Sequence, residues 1–186
     1  MKSKKDWIYK KAKEKWHSML GRCGKDAGYL DVKVREDWLD FDNFEKWFRE
    51  QVDNGWYHRG WSIDKDIIGN GSKIYSPDHC AFVPQPLNTL FAHAFNRVGK
   101  YSSSRGAYRV ISTGDYDDYG YNVFCAKITY DGKVILHEEF DHELFAFFTY
   151  KWAFEEFVQK LGEELKDKLN PKMYDALMAY RVLPLG

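Results

Sequence analysis

Cysteine is scarce in this chain. Cys23, Cys80 and Cys125 are the only three among 186 residues, and no two form a CxxC pair. A zinc knuckle therefore finds no support, and the odd count with no secretory leader predicts free thiols in a reducing, cytoplasmic setting. Long apolar runs are absent as well. The longest stretch without a formal charge, residues 79–96, contains Pro, Gln, Asn and His, so it is no membrane span. The opening "MKSKKDWIYKKAK" is basic but carries no apolar segment of the leader type. Net charge is missing too, since 28 Lys/Arg balance 28 Asp/Glu, which by itself argues against DNA binding.

The charge is unevenly placed, however. Residues 1–35 hold 11 Lys/Arg against 4 Asp/Glu, whereas residues 114–143 hold 2 against 8. Such polarity suits a surface that faces a polyanion, and equally a solvated, lysine-rich helix face. What the chain has in quantity is aromatic side chains. With 7 Trp, 13 Tyr, 13 Phe and 44% hydrophobic residues, it folds around a packed core rather than staying disordered. Trp38, Phe41, Phe44, Trp47 and Phe48 read as part of that core.

Periodicity predicts an α+β protein. Residues 6–20 read as a helix with Ile8, Ala12, Trp16, Met19 and Leu20 on one stripe. "GYLDVKVRE" alternates as a short strand, and "DFDNFEKWFREQV" reads as a helix with Asp42 and Glu45 as a capping box. "SIDKDII" reads as a strand, "GNGS" as a turn and "KIY" as the return strand. "CAFV" is a short strand end, and "PQPLNTLFAHAFN" a helix with proline in its first turn. Strand, loop, strand, helix makes a ββα unit.

"GKYSSSRG" is the best boundary, which sets units of 1–98 and 106–186 around a linker at 99–105. Beyond it, "AYRVIS", "YNVFCAKITY" and "KVILHEEF" read as three strands, the last two joined by a turn at Asp131–Gly132. A helix over about 141–161 and a last one in "PKMYDALMAYRV" predict a small three-stranded sheet packed on C-terminal helices.

The run "WHSMLGRC", "GYLDVKV", "WLDFDNF", "IDKDI", "GN", "YSPDHC" and "LN" resembles, in order and spacing, the HNH endonucleases of phage and intron-homing type. The resemblance covers about 70 residues, Trp16 to Asn88. Residues 106–186 more weakly resemble the APETALA-type DNA-binding domain that often follows such nuclease domains. The resemblance implies a ββα-metal unit that hydrolyses a DNA phosphodiester, nicking one strand of double-stranded DNA in a bacterial host's cytoplasm.

Carried over residue by residue, Asp64 falls at the metal carboxylate and Asn88 at the second metal ligand. Oxygen donors of this kind imply one hard divalent ion, Mg2+ or else Mn2+. Lys65 stands where the family's general base, a histidine, is usual. A lysine is a poor base at neutral pH, so Lys65 suits a phosphate contact or a charge stabiliser. His79 stands where an asparagine usually braces the loop, and so is either a brace or a replacement base. His58 is a further candidate base. Cys80 reads as a small buried hydrophobe. If the second domain reads DNA, Arg105, Arg109, Lys127 and Lys133 are the contacts; its many acids equally suit a dimerisation or protein-contact module. The other reading for the whole chain is a catalytically silent descendant that binds DNA or a host protein, for example to block a host defence.

Overall fold

A computed structural model of the chain describes residues 4–96, 110–116 and 122–182. The expected linker at 99–105, and with it Arg105 and Arg109, lies outside the described residues. The fold is α+β, and the chain forms two compact units. One takes the residues up to Asn88 together with Lys166–Ala176; the other takes Thr89–Leu165 and the residues from Leu177 on.

The first unit begins with helix α1, Lys4–Arg22, which buries Ile8, Ala12 and Met19 along one stripe. Strand β1 is only Lys33–Val34, followed by a 3-10 turn at Glu36–Leu39 that buries Trp38. Helix α2 spans Phe41–Asp53. Its N-cap is Asp40, whose carboxylate accepts the N–H of Asp42 at 3.0 Å, and not the Asp42–Glu45 box expected from spacing. The reason is local. Asp40 has the extended backbone that an N-cap needs, Asp42 is already helical, and Glu45 pairs with Arg49 instead. The aromatic residues do make the core. Trp38, Phe44 and Phe48 are essentially inaccessible, and the ring of Trp47 lies 5.3 Å from that of Phe82. Phe41 is only half-buried.

Strand β2, Ser62–Asp64, pairs antiparallel with β4, Ala81–Val83, in the register Ser62 with Val83 and Asp64 with Ala81. Helix α3, Gln85–Asn96, follows β4 directly. The expected hairpin is different in one respect. "KIY" does not return along β2. As β3, Ile74–Tyr75, it runs parallel to β1, with Lys33 opposite Ile74 and Val34 opposite Tyr75. The chain leaves β2 after Asp64 because the Asp64 carboxylate accepts the N–H groups of Asp66 and Ile67, which curls the backbone out of the strand. Asp66 is therefore in a turn, and strand alternation does not govern where it points.

In the second unit, β5 (Val110–Tyr116), β6 (Asn122–Tyr130) and β7 (Lys133–Phe140) form an antiparallel sheet with β6 in the middle. Asp131 (φ 48°) and Gly132 (φ 74°) make the tight β6–β7 turn, as their sequence predicts. Helix α4, Glu143–Leu165, packs on β6, where the ring of Phe157 meets that of Tyr130. Helix α5, Pro171–Ala179, belongs to the first unit as far as Ala176.

Candidate functional site

The turn after β2 carries the residues that sequence reading singled out. Asp64 keeps 2% of its surface and Lys65 keeps 4%. One oxygen of Asp64, Oδ1, accepts the N–H of Ile67 at 2.8 Å and of Asp66 at 3.1 Å. Its other oxygen accepts no hydrogen bond from a described residue. Burial pushes the Asp64 carboxyl up to about 7, with a further upward push from Asp66; the two N–H donors and Lys65 oppose it. Around neutral pH this carboxyl is poised between its two protonation states.

Lys65 does not point at open solvent. Its ammonium donates to the Asp66 carboxylate and sits over the ring of Tyr75, 5.8 Å from the centroid. Behind this turn lies Cys80, buried, its thiol held well above its ordinary range by that burial; it is a packing residue and no thiolate ligand.

The loop is closed from the other side by "SPDH". Ser76 accepts the N–H of His79 at its Oγ, 3.3 Å away, with Pro77 at the first position of the turn, the arrangement expected of a serine cap. The His79 ring is turned into the loop, with Nδ1 3.0 Å from Ser72 Oγ. Ser72 Oγ in turn accepts the N–H of Ile74, which sets the start of β3. Gly69 fills the remaining gap. A Cβ there would stand 2.5 Å from the carbonyl oxygen of Lys65 and 2.5 Å from Cβ of Ser72.

Asn88 is half-buried in the first turn of α3. The β2–β4 ladder joins this helix to the strand that ends in Asp64. His58, the further candidate base, has its Nε2 sealed from solvent without a hydrogen-bond partner, and its ring lies tilted against that of Trp61, with centroids 4.4 Å apart.

The structure thus gathers Asp64, Lys65 and His79 around one loop. It separates Lys127 and Lys133, the two described residues among the four expected DNA contacts. Lys127 pairs opposite His137, while Lys133 pairs opposite Tyr130, whose ring faces α4, so the two lie on opposite faces of the sheet. Glu139, two residues from His137, shares the Lys127 face and approaches the His137 ring at 4.0 Å. Residues that sequence reading passed over are Gly69, Ser72 and Tyr75; only their short, polar or glycine-rich setting in "GNGSKIY" hinted at a shaped loop.

Among the described residues no group of three His, Cys, Asp or Glu side chains is arranged to hold a metal ion. A hard ion of the Mg2+ type does not require one, because it binds through one or two protein oxygens and completes its shell with water and phosphate. The free oxygen of Asp64 fits that pattern. Among the described residues no helix is long and apolar enough to cross a membrane. No protein-family model, curated protein or solved structure matches the chain.

Proposed function

We propose that the chain is a metal-dependent DNA endonuclease of the HNH-like kind, nicking one strand per site. The observation that carries this reading is Asp64. A carboxylate with 2% exposure, a raised pKa and one oxygen left without a donor is costly to the fold, and such a cost is usual where a group has work to do. Asp64, through that oxygen, and Asn88, through its amide oxygen, would hold one Mg2+ or Mn2+ ion. Bound there, such an ion supplies positive charge against the leaving oxygen of a phosphodiester. The two N–H donors to Oδ1 orient the carboxylate. Lys65, paired with Asp66 over the Tyr75 ring, lies beside the carboxylate as the phosphate contact. His79, tied to Ser72, braces the loop.

The test is supercoiled plasmid incubated with the purified protein in Mg2+, Mn2+ or EDTA. Nicked circles with either metal and none in EDTA are expected. Intact plasmid under all three conditions removes the reading.

One observation favours a second reading, a catalytically silent factor that binds DNA or a host protein. The position of the expected base carries an ammonium paired with its own neighbour. Plasmid that is retarded in a gel but never nicked in Mg2+ supports this alternative.

A further inference from the structure

Helix α1 ends in Arg22, and this arginine is held in an unusual way. Its guanidinium lies 5.0 Å from the ring of Tyr29 and 5.2 Å from the ring of Tyr75. Its Nε is sealed from solvent and makes no hydrogen bond. Among the described residues no carboxylate pairs with it, whereas Arg35 holds two, Asp37 and Asp78, and Arg49 holds Glu45. The side chain as a whole is half-buried rather than sealed, and its terminal nitrogens are not among the buried atoms that lack a partner.

A partly desolvated guanidinium without an anion is unfavourable, and two aromatic faces offset only part of that. What they do is fix the plane of the fork. A fixed fork with free outer N–H groups is suited to a planar pair of anionic oxygens. Tyr75 also carries Lys65 on its ring, but Lys65 is neutralised by Asp66. The charge left uncompensated at this tyrosine is that of Arg22. The helix that delivers it is rich in lysine, and Lys5, Lys10 and Lys13 are exposed along it, while Lys4 pairs with Asp53. A series of cations fits a polyanion better than a single carboxylate ligand.

We propose that Arg22, clamped between Tyr29 and Tyr75, binds a backbone phosphate of duplex DNA next to the Asp64–Lys65 turn. This rests on the reading of the chain as a DNA-acting protein, though not on its cutting DNA.

The test is binding of a fluorescein-labelled duplex of about 30 base pairs, in EDTA, across about 50 to 200 mM salt. Arg22→Gln should weaken binding by about tenfold and lower the slope of log affinity against log salt by about one. Arg22→Lys keeps a charge without the fork, so it should keep the slope and bind about threefold or more weakly. A purely structural role would lower the melting temperature of both variants and leave the slope unchanged, which overturns the proposal. If Arg22→Gln does not fold, wild-type affinity in Arg22→Lys overturns it alone. Absence of duplex binding by the wild type also overturns it. Binding with the expected slope change, but no nicking in Mg2+, supports the phosphate site and removes only the nuclease reading.

Discussion

Lys65 and Asp66 are neighbours in the chain and form an ion pair with each other, in a place where the lysine side chain is only 4% exposed. Each is the other's main compensation for leaving water. Breaking such a pair from one side leaves an uncompensated charge. Asp66→Asn should therefore cost about 2–4 kcal/mol in urea unfolding, while replacing both residues by Met and Leu should cost far less. Equal stability of Asp66→Asn and the wild type would show that water reaches the Lys65 ammonium after all.

The carboxyl of Asp64 predicts a specific pH dependence. Its ordinary value is 3.8 and burial lifts it to about 7 in the folded state. Between these values the folded chain holds a proton that the unfolded chain has lost, so the stability tied to this proton is full below about pH 4 and disappears as the pH rises through 7. Asp64→Asn keeps the acceptor oxygen and removes the titration. Relative to the wild type it should gain about 1–3 kcal/mol on going from about pH 5 to about pH 8 in EDTA. Urea unfolding at the two pH values decides it; a variant that loses ground at the higher pH contradicts the buried-charge account. Added Mg2+ at about pH 8 should raise the melting temperature of the wild type and not of Asp64→Asn.

Gly69 makes a packing prediction. A methyl group there would press on the backbone of Lys65, where little can yield. Gly69→Ala should destabilise by about 1–3 kcal/mol and displace the Lys65 turn. Thermal unfolding measures the first effect and plasmid nicking the second. A variant as stable and as active as the wild type would mean that the loop relaxes freely.

His79 and Ser72 make a paired prediction. If the contact between Nδ1 and Oγ braces the loop, His79→Asn should keep nicking and Ser72→Ala should lower it together with stability. If His79 is the base, His79→Asn should abolish nicking in a folded protein while Ser72→Ala has little effect. Rates for the two variants, each checked by circular dichroism, separate the roles.

Much of the fold is legible in the sequence because it is set by local periodicity. The stripe Ile8, Ala12 and Met19 and the aromatic face of α2 are read from spacing alone, as is the Asp131–Gly132 turn, where only a few residue types accept positive φ. The cap of α2 is not legible to within two residues, because Asp40 and Asp42 are both good caps and only the backbone angles choose between them. The partner of "KIY" is illegible for a deeper reason. Its pairing with Lys33–Val34 joins segments some forty residues apart, and nothing in either segment names the other. Asp64 and Lys65 were found from their motif. The ion pair within "KD" and the rings around Arg22 were not, because they depend on where the turn after Asp64 sends the backbone.

The parallel pairing of β1 with β3 has a consequence for anyone wishing to move this site elsewhere. The loop that holds Lys65 and His79 is pinned at Ile74–Tyr75 by a strand that precedes it by a whole helix, and Arg35, just past that strand, also reaches Asp78. A cassette cut from Ser62 to Asn96 would carry the β2–β4 ladder and α3 but leave this pin behind. Grafted onto another scaffold, it would bring the chemical groups without the surface that shapes them. The site belongs to the whole N-terminal unit, and transplanting or evolving it means carrying that unit along.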